Sequence, residues 1–251
     1  MTIGIIGFGN LGRALASGLV KSGIPASDVY ICDVSPEARV AAEAEHHMSA
    51  SDDAGSIVEK ADLVFLTVKS YVFESLAPTI SRNAFMGKTV ISFMAGVPFD
   101  RIYHLVGEVD LVRGMPSLAI AECDGVIGYT KAPAAVVEIF NRLGFAFEVV
   151  PEDIEKVMAF SSCGLGFAAY LVDAFAAAGL TMGFSPETSA KIAALTFRNA
   201  VEKGNYRDTV KAVATPGGAT EQGILHMDAS NVYGIVADAV QKAYKRMAGG
   251  V

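Results

Sequence analysis

The sequence predicts an α/β protein: a Rossmann-type doubly wound parallel sheet followed by an all-helical C-terminal domain. Three observations carry this expectation. The opening stretch Thr2–Ser22 reads as strand, glycine loop and helix. Short apolar strands alternate with helical segments as far as Val150. Beyond Pro151 only helical periodicity remains, which places the domain boundary near residue 150.

Ile3, Ile5 and Ile6 form an apolar run suited to a buried parallel strand. Gly7, Phe8, Gly9, Asn10, Leu11 and Gly12 then spell G-x-G-x-x-G, and Leu11, Leu15, Leu19 and Val20 recur at helical spacing. In that context the glycines have assignable work. Gly7 permits the tight turn, Gly9 lets the backbone approach a pyrophosphate, and Gly12 allows helix to pack on strand. The free N–H groups of the first helical turn face the anion.

Val29–Cys32 is the next strand, with Asp33 just past its end. Dinucleotide folds place there an acid that bonds the ribose 2′-OH. Ser35 caps a helix that Pro36 opens. A 2′-phosphate would meet the like charge of Asp33; no arginine stands at 34–36, and Arg39 lies a turn into the helix. The expected cofactor is NADH or NADPH, with NADH favoured.

Further along, the pattern predicts a helix over Asp52–Lys60 and a strand over Leu63–Val68, with Lys69 at its carboxyl end. A helix over Tyr71–Ile80 and a strand over Thr89–Phe93 follow, the latter leading into Met94, Ala95 and Gly96. Carboxyl ends of strands are where open α/β sheets bind ligands, so Val68, Lys69, Met94 and Ala95 are candidates for the cofactor. A helix over Phe99–Val106 and a strand over Leu111–Met115, ending in Pro116 and Ser117, come next. Val126–Tyr129, a helix over Pro133–Leu143 and Phe145–Val150 complete the domain.

The second domain begins with a long helical stretch, Glu152–Leu180, with a kink expected near Gly164 and Gly166. From Val157 to Val172 it carries no charge. Its serines and glycines, and the acids flanking it, point to a core or interface helix and not to a membrane span. Helices over Pro186–Lys203, Tyr206–Val213, Glu221–Met227 and Val232–Met247 follow. Thr215–Thr220 forms a turn between the second and third of these.

Composition bounds the function. The 251 residues are 52% hydrophobic and 19% charged, so disorder is excluded. A net charge of −7 without a basic cluster argues against nucleic acid. Three scattered cysteines suit a reducing cytoplasm, and four histidines show no metal-ligand spacing. The first apolar run lacks a basic leader and breaks at glycine, unlike a signal peptide.

A glycine-loop domain followed by a helical domain with a late P-G-G-A-T turn resembles 1-pyrroline-5-carboxylate reductase, and the likeness extends over essentially the whole chain. Gly7–Gly12 is similar to the family's G-x-G-N-M-G loop and Val68–Lys69 to its V-K-P step. Arg113–Pro116 is similar to its R-V-M-P, and Pro216–Thr220 is the most specific match. The resemblance implies reduction of a protonated cyclic imine by hydride from a nicotinamide held about 3–3.5 Å away. It gives Met115, Pro116 and Ser117 to the cofactor pocket. It gives Pro216, Gly217, Gly218 and Thr220 to the substrate, with carboxylate on backbone N–H groups and the Thr220 hydroxyl at the ring nitrogen as the catalytic contact. It also implies a homodimer or larger assembly through residues 151–251, with each active site shared between subunits.

The chain departs from the family's pattern in three places. Met115-Pro116-Ser117-Leu118-Ala119 stands for M-P-N-T-P, Ser161–Phe167 for S-G-S-G-P-A-Y, and Asp33-Val34-Ser35 for N-R-S. Three other readings stay open on the residues. One is a paralogous imine or keto-acid reductase. A second is a β-hydroxyacid-type dehydrogenase with Lys191 or Lys203 as its catalytic lysine. The third is a non-catalytic dinucleotide-binding regulatory protein.

Overall fold

A computed structural model describes residues 1–248. They fall into two compact units. One comprises Met1–Ser162 together with the residues from Tyr244 onward, the other Cys163–Ala243.

The first unit holds strands β1 (Ile3–Ile6), β2 (Val29–Cys32), β3 (Ser49–Ser51), β4 (Leu63–Leu66), β5 (Thr89–Ser92), β6 (Asp110–Pro116), β7 (Gly125–Tyr129) and β8 (Gly144–Glu148). Between them run α1 (Asn10–Lys21), α2 (Pro36–His46), α3 (Ala54–Lys60), α4 (Ser70–Leu76), α5 (Phe99–Val106) and α6 (Ala134–Leu143), and α7 (Ile154–Val157) follows β8. The strands form one sheet in the order β3-β2-β1-β4-β5-β6-β7-β8. Its order reverses beside β1, and there open α/β sheets leave a ligand crevice at the strand carboxyl ends.

The core follows from side-chain alternation. Ile3, Ile5, Phe65 and Ile91 point to one face with Leu15, Leu19, Phe93 and Phe140. Ile6, Val64, Leu66 and Val90 point to the other, with Phe73 and Phe85. Both faces are covered, as parallel strands require, and each such buried side chain stabilises the fold by about 1.5–3 kcal/mol.

Three local departures from the sequence pattern have physical causes. The sheet is not parallel throughout, because β7 runs antiparallel to β6, with Met115 opposite Gly128. The connection from Ser117 to Asp124 is too short for a crossover helix. Strand β3 adds an unforeseen edge, pairing Ala50 with Ile31. Helix α3 starts at Ala54 because Asp53 is its cap, accepting the N–H groups of Gly55 and Ser56 at 3.0 and 3.3 Å.

The long helical stretch is irregular at Met158–Ser162, ahead of the two glycines, where it widens into a π-helical turn. Ser161 Oγ donates there to the Val157 carbonyl, and Ser162 Oγ to the Pro116 carbonyl, each at 2.8 Å. The run Pro151–Thr181 is long and apolar enough to cross a bilayer by length and composition.

The second unit holds α8 (Cys163–Thr181), α9 (Pro186–Glu202), α10 (Tyr206–Val213), α11 (Ala219–Ala229) and most of α12 (Val232–Ala248). Ser185 caps α9 by accepting the Thr188 N–H at 3.2 Å. Ser189 of α9 packs where a Cβ on Gly179 would stand, 2.7 Å from its Oγ. No residue of α8 is buried. Leu165, Tyr170, Phe175 and Leu180 are 46–73% exposed, so within a single chain this is not a core helix.

Candidate functional site

The glycine loop leaves β1 with each glycine under a different constraint. Gly7 has φ +102°, and a Cβ there would lie 2.6 Å from Val68 Cγ1. A Cβ on Gly12 would lie 2.1 Å from the Gly7 carbonyl oxygen, so helix and loop touch backbone to backbone. A Cβ on Gly9 would meet nothing within 4 Å, so the open side of the loop is at Gly9. The Gly7 N–H donates to the Cys32 carbonyl at 2.7 Å, and Thr67 Oγ1 stands 2.7 Å from the Gly7 carbonyl it donates to. Thr67 is a clamp that sequence reading missed; a hydroxyl just past β4 was its one signal. The N–H groups of Asn10, Leu11 and Gly12, among the described residues, have no protein acceptor.

Phe8 contributes by its backbone alone, since its ring is buried. Its N–H donates to Asp33 Oδ2 at 2.6 Å, while Asp33 Oδ1 accepts the Ser35 N–H at 2.9 Å. The carboxylate is thus fixed at the end of β2 beside the loop. Arg39 reaches further back than its place in α2 suggested. Its Nη1 donates to the Asp33 and Val34 carbonyls at 2.8 and 3.0 Å. Three unpaired N–H groups, an open Gly9 and a fixed carboxylate fit the pyrophosphate and ribose of a dinucleotide.

The other carboxyl-end residues divide in two. Val68 lies half-buried over Gly7, Lys69 is exposed at the start of α4, and Ala95 is half-exposed after β5. Met94, Met115, Pro116 and Ser117 are buried. Met115 packs with Ile154 and Val157, and Ser117 Oγ accepts the Val126 N–H at 3.1 Å. Behind Met94 stands a pair that sequence reading left out of the site. Arg113 Nη2 donates to the Met94 carbonyl at 3.2 Å and to Glu155 Oε1 at 2.7 Å. Arg113 Nε is buried with no partner.

In the second unit the Pro216–Thr220 turn leads straight into α11, which begins at Ala219 and so takes Thr220 into its first turn. Gly217 has φ +75°. Its N–H donates to Glu221 Oε2 at 2.6 Å, and the Gly218 N–H donates to the Thr215 carbonyl at 2.9 Å. Both glycine N–H groups expected to hold a substrate carboxylate therefore have partners, one in the turn and one in α11. The N–H groups of Ala219, Thr220 and Glu221 remain, and the Thr220 side chain is exposed. Among the described residues no group of His, Cys, Asp and Glu side chains could hold a metal ion.

A family model described as NADP oxidoreductase, coenzyme F420-dependent, matches residues 2–96. A second, described as pyrroline-5-carboxylate reductase dimerisation, matches residues 151–249. The pyrroline-5-carboxylate reductase of Methanosarcina acetivorans is 28% identical over 97% of this chain and 96% of its own length. The chain belongs to the pyrroline-5-carboxylate reductase family. The Escherichia coli reductase is 24% identical over 97% of this chain and 96% of its own. In fold, the crystal structure of Plasmodium falciparum pyrroline carboxylate reductase with NADP bound superposes with a TM-score of 0.90 at 21% identity. It covers 99% of this chain and 97% of that one.

Proposed function

We propose that this chain reduces 1-pyrroline-5-carboxylate to L-proline with NADH or NADPH. The observation that carries the reading is the Pro216–Thr220 turn at the head of α11, inside the segment matched by the reductase dimerisation model. Residues 1–150 bind the dinucleotide, and residues 151–251 bind substrate and a second copy of the chain. The exposed apolar side chains of α8 form part of that homodimer interface. The enzyme works in the cytoplasm, without nucleic acid, membrane or metal.

The bound cofactor supplies a hydride. The N–H groups of Asn10, Leu11 and Gly12 would take its pyrophosphate, Asp33 would accept from its adenosine ribose, and Val68, Lys69, Ala95 and the backbone of buried Met94 would line the strand ends beside it. Met115, Pro116 and Ser117 serve through the backbone, their side chains being buried. The substrate is an iminium ion, already electrophilic at the carbon that receives hydride, so the chain need not provide a strong acid. The first turn of α11 and, once Glu221 is displaced, Gly217 hold its carboxylate, while Gly218 shapes the turn through its bond to Thr215. The Thr220 hydroxyl accepts from the ring N–H and keeps the nitrogen protonated until transfer is complete. NADH is preferred, because a 2′-phosphate would meet the fixed Asp33 carboxylate. Arg39 is the nearby cation that admits NADPH as the slower cofactor.

The test is oxidation of NADH and of NADPH, followed by absorbance, with racemic 1-pyrroline-5-carboxylate. Rapid turnover, faster with NADH, is the expected result. Cofactor binding without turnover would overturn the reading in favour of another imine or keto acid, or of a dinucleotide-binding regulatory role.

A further inference from the structure

The substrate turn carries a carboxylate of its own. Glu221 is the third residue of α11, a position from which a side chain reaches back to the helix entrance and toward its partial positive charge. Its Oε2 lies 2.6 Å from the Gly217 nitrogen, the short contact expected of a charge-assisted bond. The bond is built on a left-handed Gly217 whose missing Cβ leaves open space within 4 Å. Gly218 N–H is turned to the Thr215 carbonyl, so of the two glycine donors only Gly217 N–H is not tied to the turn's own backbone, and Glu221 holds it.

We propose that Glu221 is a specificity-determining residue: its carboxylate sits on a donor of the substrate turn, beside the free N–H groups of Ala219 and Thr220, and competes with the substrate carboxylate for that helix entrance. The inference rests on reading the Pro216–Thr220 turn as the substrate site. An incoming carboxylate that reaches this helix entrance meets the like charge of Glu221, and gains the Gly217 N–H only by displacing it. A cyclic imine without a carboxylate, such as 1-pyrroline, meets no such competition. The chain therefore discriminates between cyclic imines with and without a carboxylate less than a turn with a free Gly217 donor would.

The decisive variant is Glu221→Gln, which keeps the shape and an acceptor oxygen for Gly217 N–H but removes the charge. The expected result is that KM for 1-pyrroline-5-carboxylate falls about fivefold to tenfold, the difference between a charged and a neutral acceptor. KM for 1-pyrroline stays unchanged. Calorimetric titration with L-proline should show the same tightening, and titration with pyrrolidine none. Should Glu221→Gln not fold, Glu221→Ala, which removes the charge and frees the Gly217 donor together, is measured instead.

An unchanged or raised KM for the carboxylated imine, with L-proline bound no more tightly, would overturn the proposal while the reductase reading stands. If the wild-type chain turns over neither imine, the reductase reading fails. The L-proline titration then decides Glu221 by itself: tighter binding by the variant supports it, and equal binding overturns it.

Discussion

Asp33 and Phe8 are joined across the mouth of the glycine loop, the Phe8 N–H donating to Asp33 Oδ2 at 2.6 Å. The acid proposed to accept from the ribose thus also sets the loop proposed to meet the pyrophosphate. Replacing it should weaken both functions, but unequally for the two cofactors. In Asp33→Ser, KM for NADH should rise about tenfold, the loss of one hydrogen bond to a charged group. KM for NADPH should rise less or fall, since the repulsion on a 2′-phosphate is gone. Parallel increases for both cofactors would mean that Asp33 serves only the loop.

Gly9 and Gly12 lie three residues apart and should fail in different ways. A Cβ on Gly12 would overlap the Gly7 carbonyl at 2.1 Å, so Gly12→Ala must move α1 off β1. The expected cost is at least about 2 kcal/mol in urea unfolding. A Cβ on Gly9 meets no protein atom, so Gly9→Ala should unfold like the wild type yet bind NADH more than about tenfold more weakly. Normal NADH affinity in Gly9→Ala would remove the pyrophosphate from this loop.

How far the chain could be read without coordinates differs from element to element. The turn of the glycine loop, the place of Asp33 at the end of β2 and the Ser35 cap were legible because each depends on a local pattern with a backbone cause. Strand β3 was not, since Ser49-Ala50-Ser51 has neither apolar alternation nor β-branching. The direction of β7 depended on loop length, which the alternation of strands and helices had obscured. An apolar helix such as α8 reads the same whether its own chain or a second copy covers it. Arg39 and Glu221 act by folding back on a preceding loop, and spacing does not give a side chain's direction.

Thr220 should separate turnover from cofactor binding. It is the second residue of α11, exposed, at a position where alanine suits a helix. Thr220→Ala should lower kcat by about 100-fold, as for loss of a group that handles a proton in the transition state. NADH affinity, read by fluorescence titration, should change less than about twofold. If both fell together, Thr220 would be supporting the fold and not the substrate.

The Arg113–Glu155 pair is closed off from water, its side chains 4% and 14% exposed. Removing one partner leaves a buried charge. Glu155→Ala should therefore cost about 3–5 kcal/mol in urea unfolding, measured at fixed protein concentration. Arg113→Met combined with Glu155→Leu should recover part of that loss, since no unpaired ion remains. Because Arg113 also holds the Met94 carbonyl, the double variant should regain stability without regaining the wild-type KM for NADH. Full recovery of both would make the pair a matter of stability alone.

Cys32 should make the chain sensitive to alkali. Burial in β2, reinforced by the negative charges of Asp33, Asp53 and Asp52, pushes its thiol from 9.0 up to about 11. Between those values the folded chain keeps a proton that the unfolded chain has released. Stability therefore falls as pH rises through that window, and is unaffected by this group below it. In Cys32→Ala the melting temperature should decline less steeply from pH 9 to pH 11 than in the wild type, whatever the variant's stability at pH 7. The same burial leaves almost no thiolate near neutrality, so iodoacetamide at pH 8 should reach Cys32 only as fast as the protein opens. Modification at the rate of a free thiol, with an unchanged alkaline slope in the variant, would show that β2 does not shield the sulfur.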